Sequence, residues 1–292
     1  SVAHSYDRRM HSRRTPRGIR TGATLLAALL VAGCSSGSST STASSQAEQT
    51  AALTPLPSST PAELTRYYEQ KPAWRDCGAP GFQCATLTAP LDYAEPSAGD
   101  VRLAVARKKA TGPGKRLGSL LVNPGGPGGS AIGYLQAYAG IGYPADVRAR
   151  YDMVAVDPRG VARSEPVECL DGPEMDAYTR TDVTPDDAKE TDALVAAYKK
   201  FAEGCGQDAP RLLRHVSTVE AARDMDIVRA ALGDDKLHYV GASYGTFLGA
   251  TYAGLFPDRT GRLVLDGAMD PSLSPRRLNL EQTEGFDTAF TA

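Results

Sequence analysis

Apolar positions along this chain follow two rhythms. Leu120–Val122 and Met153–Val156 are short, continuously apolar runs, as expected of strands buried on both faces of a parallel sheet. Gln83–Pro90 and Asp100–Lys109 partly alternate polar and apolar residues, with an acidic, Pro-containing turn between them. That pattern predicts an antiparallel pair exposed on one face. Lys236–Val240 and Arg262–Leu265 read as two further strands. Helical segments lie between. Pro185–Phe201 begins acidic and ends basic, which complements a helix dipole. Ser217–Leu232 opens with the capping box Ser217-x-x-Glu220, supplies Ile227, Ala230 and Ala231 to a core face, and stops at Gly233. The run Tyr244–Phe256 and a short helix opening at Pro61-Ala62-Glu63-Leu64 complete the set. Strands alternating with helices predict the α/β class, with a mostly parallel sheet and an antiparallel start.

The N-terminus predicts export. Arg13, Arg14, Arg17 and Arg20 form a basic region ahead of the apolar stretch Ala23–Ala32, which is far short of the ~20 residues that span a bilayer. This reads as a signal peptide over residues 1–34, with Met10 as the candidate start. Val31-Ala32-Gly33-Cys34 resembles a bacterial lipobox, in which Cys34 is acylated and tethers the protein to the membrane. The alternative is an ordinary signal peptide with an incidental cysteine. Ser12-Arg13-Arg14 is a weak twin-arginine signal, because Pro16 and Arg17 stand where apolar residues are wanted. Residues 35–62, rich in Ser, Thr, Ala and Pro, read as a flexible linker, and 63–292 as the α/β domain.

With Cys34 assigned to lipid, four of the five cysteines remain: Cys77, Cys84, Cys169 and Cys205. In an oxidising compartment these permit two disulfides in three connectivities. Cys77–Cys84 with Cys169–Cys205 is the simplest pairing. Metal binding is the weaker reading, since no pair has Cys-x-x-Cys spacing and no histidine lies near one at ligand spacing. A net charge of −2 with interspersed signs provides no basic stripe, so nucleic acid is not an expected partner.

Two segments carry candidate chemistry. Leu237–Gly245 runs from an apolar strand into Gly241-Ala242-Ser243-Tyr244-Gly245. Gly-x-Ser-x-Gly with a strand before it and a helix after it is a nucleophile elbow, so Ser243 is the candidate nucleophile; the plain alternative is a glycine-rich turn. Asn123-Pro124-Gly125-Gly126-Pro127-Gly128-Gly129-Ser130 continues out of a buried strand. Its glycines suit a loop whose backbone N–H groups face a developing oxyanion. The expected donors are Tyr244 and the Gly125–Gly126 segment, with Gly126 favoured. A phosphate-binding loop is the rival, but the segment lacks the Gly-Lys-Ser/Thr ending. Asp157, in Asp157-Pro158-Arg159-Gly160-Val161-Ala162-Arg163-Ser164, reads as a structural holder of its loop.

Together with Ala221-Ala222-Arg223-Asp224-Met225-Asp226 and Leu265-Asp266-Gly267, these motifs resemble the α/β-hydrolase superfamily. More narrowly, they resemble secreted actinobacterial tripeptidyl aminopeptidases and proline iminopeptidase-like serine peptidases, over roughly Trp74–Pro271. Ala162 departs from the pattern, which usually has glycine there. The resemblance implies an α/β-hydrolase fold, a peptide substrate, no metal or organic cofactor, and a triad in the order Ser, acid, His. Yet none of the 49 residues after Ser243 is histidine. The chain is therefore expected to be the N-terminal part of a longer enzyme, lacking the cap, the last strands and its own proton acceptor, and inactive by itself. Asp266, Asp270 and His215 are weak local substitutes, and His238 is expected to pack inside its strand. Rival functions are an esterase or lipase-like hydrolase and a non-catalytic peptide-binding lipoprotein.

Overall fold

The computed structural model describes residues 53–292. Cys34, the export segment 1–34 with Met10, and the linker up to residue 52 lie outside the described residues.

A 3-10 turn at Ala62–Leu64 runs into α1 (Thr65–Tyr68). Then β1 (Arg75–Asp76), β2 (Phe82–Pro90) and β3 (Asp100–Lys108) pair as an antiparallel meander. After β4 (Gly118–Asn123) come α2 (Ala131–Tyr134), a π turn at Leu135–Ala139, α3 (Gly140–Gly142) and α4 (Ala145–Arg150). β5 (Tyr151–Val156) leads to the helical hairpin α5 (Gly172–Thr179) and α6 (Ala188–Asp208). The remainder is α7 (Thr218–Ala231), β6 (Leu237–Ala242), α8 (Tyr244–Leu255), β7 (Thr260–Asp266) and α9 (Pro275–Thr291).

The sheet order is β1-β2-β3-β5-β4-β6-β7. Pairing is antiparallel from β1 through β5 and parallel from β5 through β7, so five of the seven strands point the same way. All six residues of β4 and all six of β5 are buried, which explains their unbroken apolar runs. Alternate side chains serve two cores. Leu121, Val154 and Val156 pack with Ile227 of α7 and Leu248 and Tyr252 of α8. Leu120, Val122, Met153 and Ala155 pack with Ile132 and Leu135 on the other face.

The predicted capping box is present: Ser217 Oγ accepts from Glu220 N, and the Glu220 side chain accepts from Ser217 N. Helix α6 runs seven residues past the predicted end, through Gly204 and Gly206, and carries Cys205 into a disulfide with Cys169. The second disulfide joins Cys77 and Cys84. Both match the local pairing expected from the sequence.

Buried charges tie the helical layer to the strands. Arg159, 2 % exposed, grips Asp224 of α7 with Nε to Oδ2 at 2.7 Å and Nη2 to Oδ1 at 2.6 Å. It also donates to the carbonyls of Pro90 and Leu91. Burial works against the Arg159 charge, but Asp224 outweighs it and raises the pKa. Two residues on, buried Asp226 accepts from Arg229, Arg259 and Tyr252. Breaking a pair of this kind from one side typically costs about 3–5 kcal/mol, because the remaining charge stays buried.

Candidate active site

Chain order around the sheet fixes where a site can form. From β4 the chain crosses to β5 on one side, then returns to β6 on the other. The carboxyl ends of β4 and β6 therefore flank a topological switch point, the usual ligand-binding position of an open α/β sheet. The loop Asn123–Ser130 leaves β4 there, and the elbow at Ser243 leaves β6 beside it.

Ser243 has φ 53° and ψ −125°, a left-handed conformation that costs a non-glycine residue about 1–3 kcal/mol and persists only where the surroundings enforce it. The enforcing contacts are specific. Ser243 N donates to Asp266 O at 2.9 Å, tying the elbow to the end of β7. Ser243 O accepts from Thr246 N and from Thr246 Oγ1, and Thr246 Oγ1 accepts in turn from Met269 N at 2.9 Å. The flanking glycines are required by close main-chain contacts. A Cβ on Gly241 would run into the Gly245 carbonyl, and one on Gly245 would stand 2.7 Å from Asn123 O. Ser243 is exposed, and its hydroxyl has no hydrogen-bond partner among the described residues.

The glycine loop lies against the elbow. Gly125, at φ 91°, comes so close that a Cβ would stand 2.9 Å from Tyr244 N and 3.1 Å from Ser243 Cβ. Gly125 N–H already donates to Asn123 Oδ1 at 2.8 Å. Gly126, at φ 124°, is exposed, and its N–H has no protein acceptor among the described residues. Tyr244 is the first residue of α8, so its N–H is one of the unpaired donors at a helix N-terminus. The positive end of that helix dipole favours negative charge at the same spot. Of the two glycines expected to donate, Gly126 is the one with an amide to spare.

Asp157 is fully buried and accepts from Ser130 Oγ at 2.9 Å, Ile132 N at 3.0 Å and Arg163 N at 3.2 Å. It binds the far end of the glycine loop to the loop after β5, the structural role expected of it. Ala162 sits at φ 48°, a left-handed position natural to glycine.

Two of the three local substitutes for a proton acceptor, His215 and Asp270, are engaged elsewhere. His215 Nδ1 is 2.9 Å from Glu220 Oε1. His238 accepts from Arg262 N at 3.0 Å and meets the Tyr151 ring edge-on; burial, then the Arg262 charge, lower its pKa. Asp270 Oδ1 accepts from Ser272 N and Oγ in its own turn. Asp266 ends β7 with its carboxylate exposed. Sequence reasoning missed Asn123 and the Arg159–Asp224 link. A strand-ending Asn two residues before a glycine is a readable Asx-turn signal, whereas nothing local pairs residues 65 positions apart.

Comparison with known proteins agrees with this geometry. A family model described as alpha/beta hydrolase fold matches residues 118–292. A tripeptidyl aminopeptidase of Streptomyces coelicolor is 39% identical over 232 residues, covering 73% of this chain and 41% of that protein. The serine protease Hip1 of Mycobacterium tuberculosis is 41% identical over 214 residues, covering 72% of this chain and 40% of the relative. Carboxylesterase B of the same organism is 41% identical over 210 residues, covering 71% and 40%. The chain thus spans about two-fifths of the length of these relatives. A solved proline iminopeptidase-related protein of Thermus thermophilus aligns at TM-score 0.34 and 17% identity, covering 62% of this chain and 44% of that one. From the strained serine between two glycines to the match over 118–292, the chain belongs to the alpha/beta hydrolase fold family.

Proposed function

We propose that this chain carries the nucleophile of a serine peptidase that releases short peptides, tripeptides among them, from the N-termini of peptide substrates. Ser243 Oγ attacks the scissile carbonyl, and the resulting oxyanion accepts hydrogen bonds from the N–H groups of Tyr244 and Gly126. Collapse of the tetrahedral intermediate expels the leaving amine and leaves an acyl group on Ser243, which water then removes. A serine hydroxyl is a weak nucleophile until a base takes its proton. No histidine among the described residues bonds to Ser243, so that base, and the acid that orients it, are assigned to the full-length gene product outside residues 53–292. Those residues alone are then expected to be nearly inactive.

One observation carries the reading. An exposed serine is held at φ 53° on a strand-to-helix turn, with Gly125 of the glycine loop against its neighbouring amide. The relatives named as a tripeptidyl aminopeptidase and a serine protease support a peptide substrate. Export, with attachment to the membrane through lipid on Cys34, is part of the proposal; the two disulfides support it, since such bonds persist in oxidising compartments.

A second reading, ester hydrolysis, is favoured by the equally similar relative named carboxylesterase B. Turnover of tripeptidyl anilides with free and acetylated N-termini, beside p-nitrophenyl esters, separates the two in the full-length gene product. A peptidase with this role cleaves the free-amine anilide and loses most activity when the amine is acetylated. Turnover of esters alone removes the peptidase assignment.

A further inference from the structure

Gly125, which approaches the elbow, and Gly126 beside it have φ of 91° and 124°, a region glycine enters and leaves freely. Backbone preference therefore does not aim the Gly126 amide. Contacts around the loop must do so. Residues 126–128 form a turn, and among the described residues the Gly126 N–H has no protein acceptor. The loop is fastened at its two ends: Asp157 takes Ser130 Oγ at the exit, and Asn123 Oδ1 takes Gly125 N–H at the entrance.

Asn123 is the nearer and better placed of these. It is 6% exposed, ends β4, and pairs in register with Gly241 of β6. Its backbone oxygen packs against Gly245 on the other side of the elbow. One buried residue thus touches both components, the glycine loop through its side chain and the nucleophile turn through its main chain. The bond closes an Asx-turn, which fixes the Pro124–Gly125 peptide plane, one plane before the one that carries the Gly126 N–H.

We propose that Asn123 is a positioning residue, whose side-chain oxygen sets the Gly126 amide relative to Ser243. It does not touch the reacting atoms. Without it, Gly125 and Gly126 retain their freedom to rotate, and the amide points at the oxyanion only part of the time. The defect belongs to the transition state, because the ground-state carbonyl needs that donor less than the developing oxyanion does. Loss of one oxyanion donor typically costs ~10²–10³ in rate; a donor displaced but not deleted predicts a fall of ~10–10² in kcat.

This inference rests on the reading of Ser243 as nucleophile, and the experiment keeps the two apart. In the full-length gene product, Asn123→Ala and Asn123→Ser are titrated with a fluorophosphonate, and kcat and KM are measured per titrated site on a peptide anilide. Binding of a peptide boronate, which becomes tetrahedral on Ser243, is measured alongside. The expected result for Asn123→Ala is a kcat lower by ~10–10² per titrated site, a KM within about twofold of wild type, and boronate binding weakened in step with kcat. Asn123→Ser, whose hydroxyl can close the same turn more weakly, should recover part of the loss. If Asn123→Ala fails to fold, the near-isosteric Asn123→Leu takes its place. An unchanged kcat and boronate affinity per titrated site, with losses confined to the number of titratable sites, would overturn the proposal and leave Asn123 a structural residue. Failure of wild type to react with the phosphonate would instead remove the nucleophile reading.

Discussion

At the scale of single residues, backbone positions that L-amino acids avoid mark where this molecule is constrained. Ser243 at φ 53° is held by bonds to Asp266 O and Thr246, and the strain presents its hydroxyl to solvent. Ala162, at φ 48°, has no such purpose. It bends the loop after β5 just before Arg163, whose N–H bonds to Asp157. A methyl group in the left-handed region costs energy that glycine does not incur. Ala162→Gly should therefore stabilise the protein by about 0.5–1 kcal/mol, even after the extra freedom glycine gains in the unfolded chain. Urea denaturation checks it: the midpoint rises with an unchanged slope, whereas a fall would mean that the Ala162 methyl makes a contact worth more than the strain.

At the scale of elements, the hairpin α5–α6 buries very little of itself. No residue of α5 is buried, and only Cys205 of α6 is. Tyr178 stacks on Phe201 and Lys200 pairs with Glu174, which joins the helices to each other. The disulfide Cys169–Cys205 anchors the excursion covalently at its base, across 36 residues. Closing a loop of that length restricts the unfolded chain by about 3–4 kcal/mol, against about 2 kcal/mol for the seven-residue separation of Cys77 and Cys84. Cys169→Ser with Cys205→Ser should lower stability more than Cys77→Ser with Cys84→Ser, and limited proteolysis should then cut first within residues 170–208. Equal losses from the two pairs would contradict the loop-closure account.

The elements also show what the sequence makes legible. Buried strands, the Ser217 capping box and the elbow are local patterns, and the structure places them within a few residues of their predicted bounds. Residues 131–150 carry no such signal. Gly133, Gly140, Gly142 and Pro144 break the helical rhythm, and the chain there winds into short helices with a π turn, burying Ile132, Leu135 and Ala139. Helix α9 likewise has no predicted counterpart, although Ser274 caps it. In the site, Ser243 and the glycine loop are readable because each is a contiguous motif. The Arg159–Asp224 grip is not, since only the fold brings those positions together.

At the scale of the whole molecule, parallel strands and their order create the site before any catalytic side chain is considered. The order of strand addition reverses at β4, with β5 on one side and β6 on the other, which marks a topological switch point at their carboxyl ends. Helix α8 points its N-terminus at that switch point, and the glycine loop lies against it. What the described residues lack is a base bonded to Ser243, so the account makes two commitments at once: Ser243 is the nucleophile, and its activation comes from elsewhere in the full-length gene product. Fluorophosphonate labelling followed by peptide mapping tests both most directly. The account predicts stoichiometric label on Ser243 in the full-length gene product, none in its Ser243→Ala variant, and little in residues 53–292 alone. Label on another residue, or peptide turnover that survives Ser243→Ala, would contradict it.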